Sequence, residues 1–146
     1  VADMPFFDEQ DTDITLDTVQ GDTELPSGYS TQSFKIDFEN GRILSQLTDL
    51  PETVRQQAAI AIMTERGVHT VLGDDFGAQI RETIATAPTR EVAALEIDED
   101  IRDALVDDLR ISDVTNIVVE RVGEDKAQVY VEIDVDGELV TVEQEV

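Results

Sequence analysis

The chain has 146 residues, enough for one hydrophobic core and too few for two domains of ordinary size. Its 34 acidic and 10 basic residues give a formal charge of −24, spread along the sequence. That balance speaks against direct nucleic-acid binding, the absence of cysteine rules out disulfides and thiolate metal sites, and no apolar run approaches the ~20 residues of a membrane span.

Residues 1–33 are acidic and polar, with Pro5, Gly21, Pro26 and Gly28 and no sustained period, and are expected to form an extended arm. The opening VADMPFFDEQ lacks the basic n-region of a signal peptide. Alone, the arm buries too little to offset its ordering entropy. Its apolar residues, Phe6 and Phe7 foremost, suit docking on a partner; a solubilising tail is the alternative reading.

Residues 34–146 are expected to form the folded domain. Phe34, Ile36 and Phe38 alternate with Lys35 and Asp37, the period of a half-buried strand. Asn40-Gly41 predicts a tight primed turn, with a return strand over Arg42–Gln46. Asp49-Leu50-Pro51-Glu52 reads as a helix start with Asp49 as cap and Glu52 completing a capping box. Val54, Ala58, Ala61 and Ile62 share one face of that helix, which Gly67 ends. A loop or short strand follows, then a short helix over Ala78–Ala87 that stops at Pro88. A third helix, capped by Thr89, runs towards Leu109, with a break expected near Ile97. From Val114 the period becomes 2, over VTNIVVERV, AQVYVEIDV and ELVTVEQEV, with turns at GEDK and Asp136-Gly137. The expected fold is α+β: an N-terminal β-hairpin, about three helices, and a three-stranded antiparallel meander with the helices packed on one sheet.

Catalysis finds little support. Glu132 to Glu143 nearly spells an EF-hand loop, but both flanks alternate as strands, so a hairpin is expected. His69 is the sole histidine, which leaves no multi-histidine metal site and no Ser-His-Asp triad. The pairs Asp74-Asp75 and Asp107-Asp108 offer acid–base chemistry in principle, yet a solvated acidic face accounts for them. Gly73 and Gly77 have no phosphate-loop lysine. No catalytic residue, cofactor or metal is therefore expected. The last strand, Leu139–Val146, is a candidate edge strand able to pair with another chain, or else an internal covered one.

Dense Asp and Glu with only two lysines, Lys35 and Lys126, is the composition of a protein adapted to concentrated salt. At about 1 M salt the Debye length is ~3 Å, and self-repulsion of the folded chain is largely screened. The rival is an acidic protein from ordinary salt that meets a basic partner or imitates nucleic acid.

Several segments together resemble a known family. ELPSGYSTQSFKIDFENGRI (24–43) resembles the opening of the XkdS-like baseplate proteins of contractile phage tails and phage-like particles. Ile62-Met63-Thr64-Glu65-Arg66 is similar to that family's helix end, and Phe76-Gly77 to its aromatic-Gly pair before the next helix. Asp107-Asp108-Leu109-Arg110-Ile111 stands where members carry an acidic pair and Arg-Ile; many relatives have Glu-Pro-Arg there, and this chain keeps acid and arginine without the proline. The resemblance covers roughly residues 24–146 and implies a non-enzymatic structural role in the baseplate wedge or sheath-initiator group. It implies a virion tail or assembled injection particle as location, built from protein made in the cytoplasm. Expected partners are the sheath protein, a tube or tube-initiator protein and other wedge proteins, with six copies in a ring and neither nucleic acid nor membrane. Arg110, with Asp108, is then the residue for gripping an adjoining wedge protein, its alternative being an internal ion pair to Asp107 or Glu65. Leu139, Val140, Thr141 and Val142 form the strand that sheath subunits extend. A small regulatory adaptor binding one partner is the second reading, and a cryptic glycan hydrolase the third.

Overall fold

In the computed structural model, which describes residues 29–124 and 126–146, the elements follow the expected α+β order. They are β1 (Phe34–Asp37), β2 (Arg42–Leu47), α1 (Leu50–Met63), α2 (Ile80–Thr86), α3 (Arg90–Val106), β3 (Asp113–Arg121), β4 (Ala127–Val135) and β5 (Glu138–Glu145). β3, β4 and β5 form an antiparallel sheet in sequence order, and β1 and β2 a separate two-stranded sheet. Phe6 and Phe7, with most of the expected arm, lie outside the described residues.

The core forms where the helices cover one face of the three-stranded sheet. Central strand β4 turns Val129, Val131 and Ile133 inward with no exposure at all. Each such burial stabilises by roughly 1.5–3 kcal/mol. From α1, Val54, Ala58, Ala59, Ala61 and Ile62 meet this face. The three alanines let the helix lie close, and α1 packs mainly on β5. α3 buries Ile97, Ile101 and Leu105, spaced i, i+4, i+8, with Ala104 partly buried beside them. The break expected at Ile97 does not occur, because that side chain is the first of this buried row. The helix stops at Val106, short of Leu109.

Local signals account for most boundaries. Asp49 caps α1 by accepting the Glu52 N–H at 3.0 Å. The reciprocal half of the capping box is missing, since Glu52 instead accepts two bonds from Arg55, at 2.8 and 2.6 Å. Those bonds hold the Glu52 carboxyl below its ordinary pKa. Thr89 caps α3 by accepting from Val92 N–H at 3.2 Å. α1 ends at Met63, ahead of the expected Gly67.

The primed turn expected at Asn40-Gly41 does not form. Phe38 to Gly41 make a longer turn in which only Gly41 takes a positive φ, +62°. The Asp37 carboxylate accepts both the Asn40 backbone N–H (3.1 Å) and its side-chain N–H (2.8 Å), which fixes this geometry and lowers the Asp37 pKa. The two-residue primed turn is at Asp136-Gly137, with φ of +54° and +83°. That turn joins β4 to β5 through the stretch that imitates an EF-hand.

The buried Gln56 side chain bonds the β1–β2 hairpin to the body, and Phe38 of its turn packs against the core. Gln56 of α1 accepts the Ile36 N–H at 2.7 Å and donates to Ser33 Oγ at 3.0 Å and Phe34 O at 3.2 Å. Below it, the Thr48 and Thr53 hydroxyls meet at 2.7 Å, so the return from β2 into α1 is also pinned.

Candidate interaction surface

The orientation of β5 follows from its pairing. Ala127 and Val146 exchange both backbone bonds, at 3.0 and 2.9 Å. In an antiparallel ladder such pairs recur every second residue. Val142 and Val140 therefore turn their N–H and C=O groups to β4, opposite Val131 and Ile133. Leu139, Thr141, Glu143 and Glu145 turn theirs away from the sheet, and among the described residues no further strand pairs with β5.

This divides the expected contact strand in two. Val140 and Val142 are 8% and 0% exposed, face the helices, and spend their backbone groups on β4; neither is available to another chain. Leu139 and Thr141 are exposed and face outward in both senses. Glu143 and Glu145 belong to the same outward row, as the alternation of ELVTVEQEV implies. Beside the edge, Tyr130 sits opposite Glu143. Desolvation and the Glu143 and Glu120 carboxylates raise its phenol pKa.

Arg110 points inward. Its guanidinium grips Asp108 in a fork, Nε to Oδ1 at 2.8 Å and Nη2 to Oδ2 at 2.7 Å, and donates to the Ser30 carbonyl at 2.6 Å. The Tyr29 ring lies 5.3 Å from the guanidinium carbon, in cation–π range, and its hydroxyl donates to the Asp107 carbonyl. With its side chain 7% exposed, Arg110 has its planar face and both fork atoms occupied. The internal alternative thus describes it, but with Asp108 as partner in place of Asp107 or Glu65. The physical effect is to pin residues 29 and 30 across the C-terminal end of α3.

A third cluster joins segments distant in sequence. Ala78 N–H donates to Thr64 O at 2.9 Å and Arg66 N–H to Ala78 O at 3.1 Å, forming a parallel bridge between Glu65 and Ala78. Arg66 Nε donates to Gly77 O at 3.1 Å, and its Nη2 meets Asp100 of α3 at 3.0 Å. The other Asp100 oxygen accepts the Gln79 N–H just ahead of α2. Gly77 has φ of +105°, and a Cβ there would stand 2.4 Å from Thr64 O. His69, by contrast, is exposed and its side chain makes no capping bond.

No family model matches the sequence. The chain is 36% identical over 96 residues to the phage-like element PBSX protein XkdS of Bacillus subtilis (strain 168), an alignment covering 65% of this chain and 68% of that protein. The chain belongs to the XkdS family. The Thr64-Glu65-Arg66 helix end and the Phe76-Gly77 pair are one contact, and Asp108 with Arg110 is one latch.

Proposed function

We propose that this XkdS-family chain is a sheath initiator. It is a non-enzymatic baseplate component of a contractile tail or injection system, joining tube and wedge proteins to the first sheath ring by strand addition. The outer edge of β5 is the observation that carries the reading: exposed, in extended register, with Leu139 and Thr141 facing away from the sheet. Main-chain bonds supply affinity in such additions and alternate side chains supply specificity. The name of the relative, a phage-like element protein, supports a particle-associated role. In this reading the sheath protein is the strand donor, tube-initiator and wedge proteins are the other neighbours, and six copies form the ring. No cofactor, nucleic acid or membrane takes part. Within the described residues, no helix is long and apolar enough to cross a membrane.

Thr141→Pro tests the edge without dismantling the sheet. The Thr141 N–H faces outward, so proline removes a donor to an incoming strand and leaves the β4 bonds in place. Removing the whole strand would instead strip Val140, Val142 and Val146 from the core. The variant should fold, and sheath nucleation on purified baseplates should fall about tenfold or more. Normal sheath growth on folded Thr141→Pro would rule this edge out. A one-to-one complex with a single partner, seen by native mass spectrometry of the purified assembly, would favour the adaptor reading.

The charge belongs to the same proposal, as adaptation to a salt-rich cell. With −24 on a chain this size, raising KCl from about 0.1 to 2 M should stabilise the fold by about 3 kcal/mol, or roughly 6–12 °C in Tm. A Tm that does not respond to KCl would point to a basic partner as the reason for the acidity.

A further inference from the structure

The end of α2, the Pro88 turn and the first turns of α3 lie over β3 and β4 and enclose a concavity of about 260 Å³. Its apolar walls include Ile84, Ala93, Ile97 and Val119, and Arg90 and Arg121 line it as well. Among the described residues that line it, none is Asp or Glu. In a chain with 34 carboxylates, such a cavity is a local inversion of charge. A larger groove beneath Tyr29 has Asp75, Asp107 and Asp108 among its lining residues.

Among the described residues both arginines have capacity to spare. Arg121 donates to the Gly123 and Glu124 carbonyls at 2.7 Å, leaving its other N–H groups unused there. Arg90 takes part in none of the ion pairs among the described residues. It also opens α3, where the helix dipole adds partial positive charge. The ligand chemistry this suits is an aromatic or aliphatic side chain adjoining carboxylates.

Residues 1–28 contain that pattern at Phe6-Phe7-Asp8-Glu9, two rings followed at once by two acids. Geometry permits contact within one molecule. Tyr29 is pinned beside Asp107, just beyond the C-terminal end of α3. The 17 residues of α3 place Arg90 about 25 Å away along the axis. The stretch from Glu9 to Tyr29 spans up to about 66 Å when extended. Tethering at that range raises the effective concentration to the order of 1 mM, which favours the chain's own segment over a free one.

We propose that the α2–α3 cavity is a docking site for the chain's own Phe6-Phe7-Asp8-Glu9 segment, aromatic side chain inside and carboxylates on Arg90 and Arg121. The site is independent of the sheath reading, since it concerns one molecule and its own arm.

Benzoylphenylalanine in place of Phe7 in the full-length chain provides the test. Irradiation should give an intramolecular cross-link to residues 84–97 or 119–127. Arg90→Glu with Arg121→Glu should cut its yield about fivefold or more, whereas Arg81→Glu, outside the cavity, should leave it unchanged. Asp8→Asn with Glu9→Gln should cut it similarly without altering the described body, which separates loss of docking from loss of folding. Cross-links to other segments, cross-links between molecules, or a yield indifferent to both double variants would overturn the proposal.

Discussion

Gly77→Ala should destabilise the protein by about 3 kcal/mol or more, a drop in Tm of roughly 6–12 °C. Two effects combine. At φ +105° an L side chain is strained by itself, and its Cβ would press to 2.4 Å from the Thr64 carbonyl oxygen. That carbonyl cannot withdraw freely, because it accepts the Ala78 N–H one residue on. Relief requires opening the Glu65–Ala78 bridge, and with it the Arg66 contacts to Gly77 and Asp100. Damage should spread to the α1–α2 junction, so hydrogen exchange at Arg66 and Ala78 should accelerate with the fall in Tm. A variant within 2 °C or so of the parent would mean the junction is far more compliant than its bonds imply.

Arg110→Ala should cost about 3 kcal/mol, at the low end for breaking a buried pair because Asp108 retains some contact with water. The loss has three parts: an Asp108 carboxylate without its fork, a Ser30 carbonyl without its donor, and a Tyr29 ring without its cation. Arg110→Lys keeps the charge but not the planar fork, and should recover less than half. Differential scanning calorimetry reads the cost. Proteolysis distinguishes the latch from a general weakening, since cleavage beside Ser30 should rise before any cleavage in β4. If Arg110→Ala leaves that cleavage unchanged, Arg110 does not hold the segment, and an intermolecular role regains weight.

The strands and helices were legible because their signals are local. Alternation in Val129–Val135, the Asp49 and Thr89 caps and the Asp136-Gly137 turn each depend on neighbours within a few residues. Errors arose where two local options competed. Asn40-Gly41 looked like the primed turn, but Asp37 engages Asn40 and selects a longer one. Glu52 looked like a capping-box acid, but Arg55, three residues on, offers a charged partner. The interaction surface was half legible. Period 2 marks the outward row of β5, yet not which of its two rows meets β4; that took the Ala127–Val146 pair. Gln56 was illegible, since in ETVRQQAAI it looks like an ordinary surface glutamine, and only the docked hairpin buries it. Arg110 lay between these extremes: its fork to an acid was foreseeable, while its hold on Ser30 spans 80 positions.

Gln56 has one more effect, on how the hairpin can grow. A free two-stranded ribbon can recruit strands on both flanks, which is how filaments propagate. Here the outward-facing Ile36 N–H and Phe34 carbonyl of β1 are already satisfied by the Gln56 amide. Whatever pairs with the hairpin must come to β2, from one side only. A single glutamine thus makes the ribbon a terminus instead of a repeat unit.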